Sequence, residues 1–248
     1  NRFITAGLET TIYVMHANTI ADDPDLPRLF DIKPLASLKG AGTIIATRFD
    51  TVEATLSIPA RRRFYFVQQI ETPMAKYCGA TEEDVLRSYR HTEYEIITIG
   101  DHLAKQLAEM GRTSTVLDVG LYTALYPHLP RQWDGRQPFR VLMYGSPADY
   151  KGGADNPKIA AALRERFGAN IEVNSFHRDI AAPGWADNHY RPQSTSEVAR
   201  VYQAHDLYVY ASLSDGFAMT PVEAMSCGTP VVLTDFSGKD QYAEDGIN

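Results

Sequence analysis

The sequence predicts an α/β protein built on parallel sheets, with two doubly wound domains facing a cleft. Three observations predict it. Short β-branched or aromatic runs alternate with amphipathic stretches along most of the chain, the order of strand–helix–strand units. Most of these runs are apolar on both sides, as strands covered by helices on each face are. The glycine-rich and small-residue stretches fall directly after strand runs, at the ends where ligands bind in such sheets.

The opening stretch NRFITAGLETTIYVM reads as the tail of a helix, a Gly7 C-cap and a strand from about Thr11 to Met15. Strands follow at Thr43 to Thr47 and Phe64 to Val67. A helix is expected from Thr81 to His91, with Thr81 and Asp84 spaced as a capping box. Next come a strand from Glu95 to Ile99, a helix from His102 to Met110 ending near Gly111, and a strand from Thr115 to Leu117. Residues 126 to 140, YPHLPRQWDGRQPFR, hold three prolines and a glycine without apolar periodicity and read as a linker. An N-terminal domain is therefore placed at 1–129, a linker at 130–138 and a C-terminal domain at 139–248. In the second domain, strands are expected at Arg140 to Tyr144, Ile171 to Asn174, Leu207 to Tyr210 and Val231 to Thr234. Helices are expected at Pro157 to Phe167, capped by Asp155 or Asn156, at Ser196 to Ala204, and at Pro221 to Cys227. Both domains read as incomplete, because the two ends of the chain interrupt the alternation.

The 248 residues are 44% hydrophobic and 22% charged, a globular composition that excludes disorder. No apolar run approaches the ~20 residues that span a bilayer, and a cytoplasmic location is expected. A net charge of −7 argues against nucleic acid as a partner; Arg61, Arg62 and Arg63 read as a solvated face. Cys78 and Cys227, far apart, suit buried thiols better than a disulfide framework. The seven histidines lack metal-ligand spacing, with His177 and His189 expected in a solvated loop. The acidic stretch Asp22 to Asp25 reads as a loop, and no metal site is predicted.

The residues after the strand ends carry the chemistry. GSPADYKGG, after strand 140–144, is a glycine-rich loop whose amides could face an anion and whose Lys151 could neutralise it, but it matches neither the P-loop nor the dinucleotide fingerprint. Gly216 to Thr220 present consecutive amides at the start of a short helix, a place that favours phosphate. Glu223 has two readings. As the third residue after a Thr220 N-cap, with Pro221 at the first helical position, it completes a capping box; it also stands where a carboxylate accepts two ribose hydroxyls next to a bound phosphate. In the N-terminal domain, Arg48, Gln69 and Glu71 follow strand ends and are the candidates for holding a second substrate, alongside Thr47.

The stretch HDLYVYASLSDGFAMTPVEAMSCGTPVVLTD resembles the donor-binding segment of the retaining family 4 glycosyltransferases of GT-B fold, where an acidic residue, seven others and a glutamate lead into an EAMACG-PVV sequence. Asp215 and Glu223 hold that spacing. GSPADYKGG lies where the family has an arginine, four residues and a lysine; VLDVGLYTALYPH resembles its glycine-to-Phe-Pro segment before the linker; RRFYFVQQIETPM resembles a strand of bacterial rhamnosyltransferase-like members. The resemblance implies an enzyme of the hexosyltransferase class that moves a sugar from a nucleoside-diphosphate sugar to a glycan or lipid-linked acceptor, with retention and with neither metal nor cofactor. Gly145, Ser146, Lys151, Gly216, Phe217, Ala218, Met219, Thr220 and Glu223 would bind the donor, with Lys151 and Asp215 as the catalytic pair. Lys151 would neutralise the leaving diphosphate and Asp215 would touch sugar hydroxyls. Arg48, Gln69 and Glu71 would face the acceptor, and a lipid-linked acceptor leaves room for peripheral contact with the inner face of the membrane. Two departures stand out: Asp215 is one methylene shorter than the family's glutamate, and Ser146 replaces its arginine. They favour, as the alternative, a nucleotide- or glycan-binding module without catalysis; a nucleotide-sugar epimerase of the same fold is a further alternative.

Overall fold

A computed structural model describes residues 10–15, 31–130, 135 and 137–247. The Gly7 cap, the Asp22 to Asp25 stretch and most of the 130–138 linker lie outside the described residues. Every strand pairing is parallel, as the apolar runs predict.

The N-terminal unit holds β1 (Thr11–Val14) and β2 (Asp31–Pro34), paired with each other, and a four-stranded sheet. The four strands are β3 (Ala41–Ala46), β4 (Ala60–Val67), β5 (Glu95–Thr98) and β6 (Ser114–Val116), adjacent in chain order. Helices α1 (Phe49–Thr55), α2 (Glu82–Arg90) and α3 (Asp101–Glu109) link them. The Thr81 capping box forms: its Oγ1 accepts from the Asp84 N–H at 3.1 Å, and Asp84 Oδ2 accepts from the Thr81 N–H at 2.9 Å. Val52, Tyr65, Val85, Tyr89, Ile96 and Leu107 fill the core between sheet and helices.

The C-terminal unit is one five-stranded sheet in the order β11-β10-β7-β8-β9, the crossed order of a doubly wound fold. Its strands are β7 (Phe139–Tyr144), β8 (Ile171–Phe176), β9 (His189–Tyr190), β10 (Leu207–Tyr210) and β11 (Val231–Leu233). Its helices are α4 (Asn156–Phe167), α5 (Thr195–Gln203) and α6 (Met219–Ser226). Asp155 precedes α4 without a side-chain capping bond, and Asn156 instead donates to the Tyr144 carbonyl at 2.8 Å, tying the helix to the end of β7.

The two units meet along an apolar seam. Ile99, Leu103 and Phe217 are buried there, with Phe66, Ile70, Met219 and Tyr242 packed around them. The stretch 121–129 packs with the C-terminal unit: Leu121 and Tyr126 join its core, and the Leu129 N–H donates to the Cys227 carbonyl. By packing, the boundary between the units falls before 121, earlier than the predicted 129, because Leu121 and Tyr126 bury their apolar surface on the second sheet. Of the two cysteines, Cys227 is buried as expected but Cys78 is exposed. It closes the 3₁₀ segment Thr72–Cys78, which Gly79 ends in the left-handed region at φ 68°.

Candidate active site

The carboxyl ends of β7 and β10, which are neighbours, converge on one corner of the C-terminal sheet. From β7 the chain runs through Gly145 and Ser146 to Lys151; from β10 it runs to Asp215. The lysine ammonium and the Asp215 carboxylate meet as an ion pair, with side chains 19% and 14% exposed. The Tyr210 hydroxyl donates to Asp215 Oδ2 at 2.6 Å and lies 3.4 Å from Lys151 Nζ. Burial and the Asp215 charge push the Tyr210 phenol far above its ordinary range, so it stays a donor. The two residues expected to carry catalysis are therefore brought together, bonded directly to one another and both within reach of one tyrosine.

Glu223 lies beside a cavity of about 470 Å³, lined also by Tyr126, Tyr144, His177, Tyr202 and Thr220. The capping box predicted for it does not form. Helix α6 begins at Met219, behind Ala218 in the left-handed region at φ 60°. Pro221 thus becomes the third helical residue, where no intrahelical N–H is needed, and Glu223 sits beyond the cap. Its carboxylate turns to two phenols: Tyr126 donates to Oε1 at 2.8 Å and Tyr202 to Oε2 at 3.0 Å. Burial raises the Glu223 pKa above its ordinary value, and the two phenols pull it back down. Tyr144 lines the same cavity, and its phenol feels the charges of both Asp215 and Glu223. Its ring lies 5.1 Å from that of His177. His177 and His189 are half-buried, contrary to the solvated loop expected. His189 Nδ1 lies 2.7 Å from the Ser175 hydroxyl and its Nε2 3.0 Å from the Ile180 carbonyl, which locks the ring in place.

The two anion-facing loops are more closed than the sequence suggests. The amides of Gly145, Lys151, Gly152 and Gly153 bond to carbonyls of Phe176, Ala148, Asp149 and Ala148. Ser146 Oγ accepts from the Ala148 N–H at 3.2 Å, and the Asp149 N–H donates to the Tyr77 hydroxyl of the other unit. Gly216, Phe217 and Ala218 are buried. A Cβ on Gly216 would lie 1.6 Å from the Gln68 carbonyl oxygen and 3.2 Å from the Gln69 Cα, so the loop abuts the end of β4. Phe217 and Met219 turn their side chains into the seam, which leaves only their main chain for a ligand.

Among the N-terminal candidates, Gln69 is the one brought against the C-terminal loop. Glu71 is buried, and its Oε2 accepts from the Phe49 N–H at 2.8 Å and the Tyr65 hydroxyl at 2.6 Å. That bond serves the start of α1, so Glu71 presents no free carboxylate to an acceptor. Arg48 precedes α1 and donates from Nε to Asp50 Oδ1 at 2.7 Å. Sequence reasoning missed Tyr126, Tyr202 and Tyr210. The available signal was the i, i+2 pair Tyr208 and Tyr210, which puts two phenols on one face of β10. Among the described residues there is no cluster of His, Cys, Asp or Glu that could hold a metal ion, and no helix long and apolar enough to cross a membrane.

Two facing parallel α/β units with a polar corner at the strand ends of the second are the GT-B architecture of glycosyltransferases, and solved structures share it. TarM superposes with a TM-score of 0.64 at 12% identity, over 82% of this chain and 43% of its own. Sucrose-phosphate synthase of Thermosynechococcus elongatus gives 0.62 at 13% identity, over 79% and 57%. Residues 168–248 match the family described as glycosyl transferases group 1. D-inositol 3-phosphate glycosyltransferase of Mycobacterium marinum is 42% identical over 109 residues, 44% of this chain and 20% of that protein. The same enzyme of Paenarthrobacter aurescens is 27% identical over 176 residues, 64% of this chain and 43% of the relative. The aligned part of this chain spans about a fifth of the length of most of the curated relatives it matches.

Proposed function

We propose that this chain carries the donor side of a glycosyltransferase that takes a sugar from a nucleoside diphosphate and transfers it with retention, without a metal or cofactor. The observation that carries the reading is the placement of Glu223 beside the cavity, eight residues after Asp215, which meets Lys151 at the neighbouring strand end. Glu223 accepts the ribose hydroxyls. Lys151 leaves Asp215 for the diphosphate, exchanging one anion for another, and neutralises the charge that grows on the leaving group as the glycosidic bond breaks. Asp215, freed, accepts from hydroxyls of the sugar. The acceptor is a glycan or a lipid-linked sugar held against the N-terminal unit, with Gln69 nearest the reacting corner, and the protein works in the cytoplasm or at the inner face of the membrane. Two solved relatives of this fold support a nucleotide and a sugar as ligands. TarM of S. aureus was crystallised with UDP, α-GlcNAc-glycerol and fondaparinux, and the pneumococcal O-GlcNAc transferase GtfA with UDP and GlcNAc. A binding module without catalysis is the second reading, favoured by the closed Lys151–Asp215 pair and by Ser146, whose hydroxyl is spent within its own loop.

Calorimetric titration of UDP, GDP, ADP and dTDP into the wild-type protein and into Glu223→Ala and Glu223→Gln tests the donor site. Wild type is expected to select one base, and both variants to lose at least about tenfold in affinity, the loss of one hydrogen bond to a charged group. A structural Glu223 would lower the melting temperature and leave affinity alone. Incubation with the matching nucleotide sugars then separates transfer or hydrolysis from binding without turnover, and isomerisation of the free donor would mark an epimerase.

A further inference from the structure

The segment that leaves the N-terminal unit is stapled to the two helices that supply the cavity's polar groups. The Ser226 hydroxyl of α6 donates to the Tyr126 carbonyl at 2.8 Å, and Gln203 Nε2 of α5 donates to the Pro127 carbonyl at 2.9 Å. These bonds carry the Tyr126 ring into the cavity, where its hydroxyl reaches Glu223 Oε1 at 2.8 Å while Tyr202 holds the other oxygen. Each carboxylate oxygen accepts two hydrogen bonds. Tyr126 uses one on Oε1 and Tyr202 one on Oε2, so one acceptor direction remains on each oxygen, one for each hydroxyl of a cis-diol. A phenylalanine would fill nearly the same volume and leave the carboxylate held by Tyr202 at one oxygen alone.

We propose that Tyr126 is a positioning residue of the nucleoside pocket, fixing Glu223 so that its two remaining acceptor directions meet the 2′- and 3′-hydroxyls of a ribose. The proposal rests on the donor-site reading above. Tyr126 touches no reacting atom; it acts through Glu223, and it links the filling of the pocket to the path of the chain between the two units.

The test compares wild type, Tyr126→Phe and Tyr202→Phe by calorimetry. The probes are UDP, GDP and ADP and their 2′-deoxy forms, titrated between pH 5 and pH 8. Wild type is expected to bind one ribonucleotide about tenfold or more tightly than its deoxy form, one hydrogen bond to a charged group being lost. Tyr126→Phe is expected to weaken the ribonucleotide about tenfold while moving the deoxy form less, so that the preference shrinks. Each phenol favours the ionised carboxylate, so removing one raises the Glu223 pKa further, and the acid-side loss of binding moves to higher pH in the variant. Tyr208 and Tyr144 face Glu223 from β10 and β7, and His177, Arg178 and Asp179 line the same cavity from beyond β8. All are unchanged, so the difference between the two profiles reports Glu223. Tyr202→Phe, which frees the other oxygen, is expected to act in the same direction and serves if Tyr126→Phe does not fold. A lower melting temperature with an unchanged ribo-to-deoxy ratio and an unchanged pH profile overturns the proposal. Failure of wild type to bind any of the three diphosphates overturns the donor-site reading beneath it.

Discussion

Both hydrogen bonds that reach the Glu71 carboxylate land on one of its oxygens, and this decides how a substitution there behaves. Burial is the largest influence on the group and lifts its pKa above the ordinary 4.5, although the Phe49 amide and Tyr65 phenol oppose it. The folded state therefore holds the proton more tightly than the unfolded chain. Stability is greatest below the ordinary carboxylate pKa and falls as pH rises from there through the raised value. Glutamine keeps a carbonyl oxygen for both donors and carries no charge. Glu71→Gln is thus expected to keep the fold and to lose this pH-dependent fall, seen as a flatter plot of urea midpoint against pH from 4 to 8; parallel slopes in the two proteins would refute it. Glu223 differs by having a donor on each oxygen beside a cavity, and that is the residue-level reason to read one carboxylate as structural and the other as a ligand.

At the scale of elements, what was legible in the sequence followed from how local the cause is. The Thr81 box needs only two residues three apart, and it forms as spaced. Thr81→Ala is expected to cost about 1 kcal/mol in stability, measured by urea unfolding, with no change in nucleotide affinity because α2 lies in the N-terminal core. Strand β10 matches its predicted span, Leu207 to Tyr210, because Tyr208 and Tyr210 are buried on one face and Leu207 and Val209 pack half-buried against the core on the other. Helix α6 was legible as an element but not in its start, because the chain enters it through a left-handed alanine, a conformation rare outside glycine. Helix α1 was missed because its first amide is satisfied by Glu71, 22 residues away, and β9 because two residues carry no periodicity. In the site, Asp215 and Glu223 stood out through their spacing across one loop and helix, and Lys151 through its glycine-rich loop after another strand. Their phenolic partners did not, since Tyr126 meets Glu223 across 97 residues of chain.

At the scale of the molecule, an apolar seam joins the two units. Phe217 comes from the loop expected to face the donor, yet its ring is buried with Ile99 and Leu103 and lies 5.1 Å from that of Tyr242. Truncating a buried phenylalanine costs about 3–5 kcal/mol. Phe217→Ala is accordingly expected to split a single calorimetric transition into two, as each unit loses its grip on the other; one undivided peak, shifted or not, would show that the seam does not couple them. Polar contacts along the same border, such as Lys76 with Asp149, are exposed and contribute little. Beside them sits Cys78, exposed at the end of the segment whose Tyr77 hydroxyl accepts the Asp149 amide, while Cys227 is buried. The protein thus carries its own attachment point for a thiol-reactive fluorophore at the border between its halves, and a dye placed there reports on that border without engineering a single residue.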